Sequence, residues 1–194
     1  FAKIPISPAR QIRKMREEIG NIEACIEQTW EEKGQPDGAV KNLQRIKKNK
    51  EKQLKELMNA EKKDNVLLFE ELGIDYLFVD EAHYYKNLFL FTKMNNVSGI
   101  SSAASQRATD LKLKCEYLQE VHGSDRGVVF LTGTPVSNSM TEMYTMQTYL
   151  QPTTLKELGM PFFDNWAANF GETVTSMELA PSGQGYRAKT RFAK

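Results

Sequence analysis

The sequence has 194 residues, 40% of them hydrophobic, with 26 basic and 25 acidic side chains that leave a formal net charge of +1. That length can bury a sizeable core, and so even a balance gives no bulk electrostatic reason to expect binding to a membrane surface or nucleic acid, although a local basic face stays open. No apolar run reaches transmembrane length and no basic-then-apolar leader opens the chain, so a cytoplasmic protein without membrane partners is expected. Cys25 and Cys115 lack C-x-x-C spacing, which suggests neither a disulfide framework nor a zinc site, only packing. The chain opens on Phe1 and stops at Lys194 inside an alternating stretch, so both ends read as cut from something longer.

Ser7-Pro8 is a helix start, because a Ser side chain caps free amides and Pro at the first helical position forfeits no hydrogen bond. Ile12, Met15, Ile19, Ile22, Ile26 and Trp30 then recur at steps of three and four up to Gly34. After the turn-forming Gly34-Gln35-Pro36-Asp37-Gly38 comes a second stripe of Val40, Leu43, Ile46, Leu54 and Leu57, interrupted by Lys50. Together they predict an antiparallel helical hairpin. Its second helix is rich in Lys41, Arg45, Lys47, Lys48, Lys50, Lys52 and Lys55, which reads first as a solvated face and second as a phosphate-contacting one. Composition changes after Asp64, which divides the chain into a hairpin over 1–65 and an α/β part over 66–194.

In that second part Val66 to Gly73 forms a short element with a Gly stop. Tyr76-Leu77-Phe78-Val79 then reads as a strand buried on both faces, as in parallel sheets covered by helices. It ends in Asp80-Glu81-Ala82-His83. A polar loop containing Asn95-Asn96-Val97-Ser98-Gly99 leads to a helix from about Ser102 to Val121 and to a second apolar strand, Val128 to Leu131, followed by Thr132-Gly133-Thr134-Pro135. A parallel βαβ connection brings both strand ends to one edge, making Asp80 and Glu81 neighbours of Thr132 to Thr134. Open α/β sheets hold their ligands there. Asn138 is placed to cap a helix through Met140, Met143, Tyr144, Met146 and Leu150 to Pro152. Phe162, Phe163, Trp166 and Phe170 belong to a shorter helix as core aromatics. Thr173 to Leu179 and Gly185 to Phe192 form a hairpin about Pro181-Ser182-Gly183-Gln184.

Adjacent carboxylates at a strand end suit a nucleoside triphosphate and its Mg²⁺, which takes hard oxygen ligands and needs one or two carboxylates besides the phosphates. Asp80 is expected to hold a metal-bound water and Glu81 to orient and polarise the water that attacks the terminal phosphoryl group. Thr132 and Thr134 are within reach of His83 or the carboxylates, a link between nucleotide state and lobe movement.

Asp80-Glu81-Ala82-His83-Tyr84-Tyr85-Lys86-Asn87 matches the D-E-A-H-x-x-K-N form of motif II, and Leu131-Thr132-Gly133-Thr134-Pro135-Val136-Ser137-Asn138 resembles the L-T-G-T-P-x-x-N form of motif III. Both belong to superfamily 2 helicase-like ATPases of the Swi/Snf branch, and the likeness extends from about Leu67 to Gly171. More loosely, the chain resembles helicase-like proteins carried with adenine-specific DNA methylases on bacterial mobile elements. The resemblance implies an α/β fold with a partial RecA-like parallel sheet, ATP and Mg²⁺ as cofactors, and DNA, duplex by preference, as partner. It implies magnesium coordination by Asp80, water activation by Glu81, and coupling of hydrolysis to DNA movement by His83, Thr132, Gly133 and Thr134. Lys86, Asn87 and Asn138 belong to the same signatures, but the residue types of Lys86 and Asn87 alone assign them no role. No G-x-x-x-x-G-K-[ST] occurs in the chain, so the phosphate-cradling loop and a second RecA-like lobe are expected in the remainder of a parent polypeptide. Two alternatives stay open: the motor part of a restriction and modification enzyme, and a non-catalytic interaction module built on an ATPase remnant. A metalloprotease does not fit, because His83 has no H-E-x-x-H partner.

Overall fold

The computed structural model describes residues 4–33, 38–59, 66–94, 97–98, 105–137, 139–180 and 184–193, and the chain divides into two compact units, Phe1–Gly73 and Ile74–Lys194. It is mixed α/β and mostly helical. Among the described residues no helix is long and apolar enough to cross a membrane.

In the first unit, α1 (Pro8–Lys33) and α2 (Gly38–Asn59) pack along most of the stripes set by sequence, burying Ile19, Ile22 and Cys25 against Val40 and Leu43, whereas Trp30, expected in the first stripe, is 43% exposed beside a buried Thr29. The helices are antiparallel, since Lys47 meets Glu23 at 2.8 Å while Lys50 meets Glu18 at 2.6 Å. Lys50 therefore interrupts the apolar stripe for a reason: it crosses to the partner helix and pairs with Glu18. The connecting residues 34–37 lie outside the described residues. At the other end, the Pro5 carbonyl accepts the Phe69 amide at 2.9 Å, and the Glu70 carboxylate accepts the Ser7 amide at 3.0 and 3.2 Å. Burial raises the Glu70 carboxyl pKa, but the Ser7 hydrogen bonds and Arg10 outweigh it and leave the group below its ordinary value. Phe69–Leu72 is a single 3-10 turn stopped by left-handed Gly73, as the Gly stop predicted.

The second unit contains β1 (Leu77–Asp80), β2 (Val97–Ser98), α3 (Gln106–His122), β3 (Val128–Leu131), α4 (Thr141–Leu150), α5 (Pro152–Glu157), α6 (Phe163–Phe170), β4 (Glu172–Leu179) and β5 (Tyr186–Ala193). β1 and β3 pair in parallel, with α3 as the intervening helix. β4 and β5 form the expected antiparallel hairpin, whose turn residues 181–183 lie outside the described residues. The loop predicted around Val97 holds β2, which joins β5 in parallel; Asn95, Asn96 and Gly99 lie outside the described residues.

The expectations for the parallel strands and for two helices of this unit need correction. β1 is not buried on both faces: Val79 is buried but Phe78 is 66% exposed, and on β3 Leu131 is 49% exposed. The strands alternate because one face packs on Leu111, Cys115 and Tyr149 of α3 and α4, while Tyr76, Phe78, Val129 and Leu131 share the open face. The crossover helix begins at Gln106, where the Ser105 hydroxyl accepts the Ala108 amide at 3.1 Å. The helix after Pro135 ends at Leu150, and Pro152 starts a separate helix, α5, at its first position, where its lack of an amide hydrogen is harmless. Asp125 caps that helix by accepting the Thr153 and Thr154 amides, both at 2.9 Å. Burial raises the Asp125 pKa, and these hydrogen bonds overcome it to hold the carboxyl below its ordinary value.

Of the four aromatics expected as core around α6, two are, while Phe162 is partly buried and Phe170 is 50% exposed. Phe163 and Trp166 are buried with Tyr144, Leu155 and Met160. Both cysteines are buried and neither is in a disulfide, and burial pushes the Cys115 thiol up to about 12, which makes it inert.

Gly127 sets the entry to β3. Its backbone is left-handed, its carbonyl accepts the Leu77 amide at 2.8 Å, and a Cβ there would lie 2.7 Å from the His122 ring. Gly123, at the end of α3, is also left-handed but would meet nothing within 4 Å. Gly127→Ala is expected to cost about 2 kcal/mol, from backbone and overpacking together, and Gly123→Ala about 1 kcal/mol from backbone alone. Urea unfolding that ranked them in the opposite order would refute this role for Gly127 at the strand entry.

Candidate active site

The register of β1 and β3 builds the site, because Asp80 is paired with Leu131 and the chain leaves both strands at the same edge. Asp80 is exposed, and its carboxylate accepts the Glu81 amide at 3.0 Å. Glu81 then takes a left-handed backbone, φ 51° and ψ 45°, the one non-glycine residue to do so among the described residues. That conformation reverses the chain out of the strand into a 3-10 turn, Ala82–Tyr85. An L residue there carries strain of about 1 kcal/mol, which persists only where the surroundings impose it.

The surroundings are specific. Ala82 is fully buried in the cluster of Val79, Leu111, Cys115 and Tyr149. The Tyr149 hydroxyl lies 3.1 Å from the Tyr85 carbonyl and 2.9 Å from the Ala108 carbonyl, so it meets the turn and α3 together. Burial raises the Tyr149 pKa, which keeps the hydroxyl protonated as a donor. From α3, Arg107 donates to the Tyr84 carbonyl at 2.9 Å and lies over the Tyr84 and Tyr85 rings.

Held this way, His83 faces the second motif. Its Nδ1 is 3.1 Å from Glu81 Oε2 and 3.1 Å from Thr132 Oγ1. The Thr132 hydroxyl in turn accepts the Thr134 amide at 3.2 Å. Of the two threonines expected to reach His83, Thr132 does so directly, whereas Thr134 joins through its backbone. A proton on Nδ1 suits this arrangement, because the carboxylate only accepts and Thr132 has acceptor capacity to spare. Gly133 lies between them without a left-handed backbone, and a Cβ there would meet nothing within 4 Å.

The role missing for Lys86 is visible in the geometry. Its ammonium donates to Ser137 Oγ at 3.1 Å and to Glu142 Oε2 at 3.0 Å, with the Lys86 and Glu142 side chains only 10% and 13% exposed. Glu142 also accepts the Ser137 amide at 2.6 Å. Lys86 therefore ties the segment after Glu81 to the segment after Thr134 and to the first turn of α4. Asn87 fixes the start of the crossover helix through its carbonyl, which accepts the Ser105 amide at 2.9 Å. Asn138 lies outside the described residues. Sequence reading missed Glu142, Arg107 and Tyr149; only the opposite charges of Lys86 and Glu142 hinted at a pairing, and nothing in their spacing selects it.

Among the described residues no three His, Cys, Asp or Glu side chains gather as a metal site. Mg²⁺ does not require such a group, and two adjacent carboxylates at an exposed strand end fit its need for hard oxygen donors alongside phosphate and water.

Defense against restriction protein B of Escherichia phage P1 is 32% identical to the chain over 128 residues, which cover 64% of this chain and 6% of that protein, so the chain spans only a small part of that relative's length. No solved structure matches the chain. The family described as "Probable helicase domain" matches residues 1–193, and the chain belongs to that family.

Proposed function

We propose that the chain is the hydrolysis and coupling segment of an ATP-dependent DNA helicase or translocase, the C-terminal part of a first RecA-like lobe of the DEAH type and Swi/Snf branch. The observation that carries this reading is the Glu81, His83, Thr132 and Thr134 chain of contacts, which joins the two signature segments across the β1 and β3 edge. In this reading Asp80 takes a metal-bound water and Glu81 orients and deprotonates the attacking water. Bound Mg²⁺ supplies charge neutralisation at the phosphates. His83 senses the state of Glu81 and passes it to Thr132, whose hydroxyl holds the Thr134 amide. DNA, ATP and the remaining parts of the motor, a phosphate-cradling loop and a second lobe, are partners supplied outside the segment. A second reading, a motor acting in a restriction and modification setting, is favoured by the name of the phage P1 relative.

The 194-residue chain by itself is expected to hydrolyse ATP negligibly even with duplex DNA present, since it contains no G-x-x-x-x-G-K-[ST] to hold the triphosphate against Asp80 and Glu81. Joined to the parent polypeptide it is expected to turn over ATP. Robust turnover by the isolated chain, lost in Glu81→Gln, would contradict this division of labour.

A further inference from the structure

We infer that the outer face of α2 is a docking surface for the phosphate backbone of duplex DNA. The helix holds Lys41, Arg45, Lys47, Lys48, Lys50, Lys52 and Lys55 against only Glu51 and Glu56, a local excess of positive charge in a chain whose formal net charge is +1. These residues do two different jobs. Lys47 and Lys50 turn toward α1 and pair with Glu23 and Glu18. Lys41, Arg45, Lys48, Lys52 and Lys55 recur at steps of four and three, all exposed. At 100° and 1.5 Å per residue that pattern fills one face about 80° wide and about 21 Å long. It lies opposite the buried Leu43, with the buried Val40 at the edge of the apolar face.

The stripe is not spent on internal pairing. Among the described residues Lys41, Lys48 and Lys55 make no ion pair, Arg45 donates to Asn42, and Lys52 meets Glu56 only at 3.8 Å with its side chain 78% exposed. A straight row of cations suits a partner with a regular row of anions, and duplex DNA presents one charge per about 1.7 Å of axis. A membrane surface fits less well. An interfacial helix must offer an apolar face to lipid, and the apolar face of α2 is occupied by α1. The choice of DNA over another polyanion rests on the motor reading above.

The test uses the whole 194-residue chain, without ATP, and a fluorescent duplex of about 20 base pairs followed by anisotropy across a salt series. The triple variant Lys41→Gln, Lys48→Gln, Lys55→Gln is expected to bind at least about tenfold more weakly, with the slope of log K against log salt reduced by about 2–3. Its thermal melt should match the unaltered chain, since these side chains are solvent-facing, and Lys156→Gln in the second unit should leave binding unchanged. Absence of duplex binding by the unaltered chain, equal binding by the triple variant, or an effect confined to phosphatidylserine vesicles overturns the proposal. Because no nucleotide is present, a failure here is separate from a failure of the ATPase reading, which is scored by turnover in Glu81→Gln of the parent polypeptide.

Discussion

Glu81→Gln in the parent polypeptide is expected to lower ATP turnover by about 10²–10⁴-fold while leaving nucleotide binding and folding intact. The expected effect is large because Gln keeps the size and hydrogen-bonding capacity of Glu but cannot take a proton from water. The fold should tolerate it. The Glu81 side chain is 58% exposed and its described contact is with His83, which a Gln carbonyl also satisfies. A companion change separates chemistry from backbone strain. Glu81→Gly relieves the left-handed conformation and is expected to raise stability by about 1 kcal/mol, yet to be as inactive as the Gln variant. Steady-state ATPase rates beside urea unfolding decide the matter. A Gln variant with near-normal turnover removes Glu81 from the chemistry, and a Gly variant that unfolds more easily removes the strain argument.

Lys86→Met is expected to destabilise the 194-residue chain by about 3 kcal/mol, because it strands the mostly buried Glu142 carboxylate beside Ser137. Lys86→Met combined with Glu142→Met should recover most of that loss, since replacing both members of a buried pair by apolar groups is often neutral. The double variant nevertheless lacks the link between the two signature segments. In the parent polypeptide it is expected to retain ATP binding but lose much of the DNA stimulation of turnover. Denaturant midpoints for the two singles and the double form a cycle. Additive losses would show that Lys86 and Glu142 act independently and that the clamp is not a unit.

The elements whose cause is local were legible in the sequence. The stripes of α1 and α2, the Gly73 stop and the hairpin of β4 and β5 follow from periodicity and turn residues alone. The two parallel strands were legible as strands, but not their exposure: an apolar run such as Leu77 to Val79 looks the same whether one face or both are covered. The Leu150 break was hidden because Pro152 reads equally as the end of one helix and the start of the next. At the site, Asp80, Glu81 and His83 were marked by type and adjacency, and Thr132 by the strand before it. Their convergence required the parallel register. Glu142, Arg107 and Tyr149 act through contacts that no sequence spacing encodes, and the left-handed backbone of Glu81 runs against its residue type.

The Lys50 and Glu18 pair has a consequence for how the two long helices find their alignment. Hydrophobic stripes of three-and-four spacing are nearly self-similar under a slide of one turn, so apolar packing alone discriminates weakly between registers. In a displaced arrangement Lys50 and Glu18 would lose each other as partners, a loss of about 1 kcal/mol for a partly exposed pair. The two ion pairs that cross between the helices, Lys50 with Glu18 and Lys47 with Glu23, thus act as index marks, trading some cohesion for a single permitted alignment.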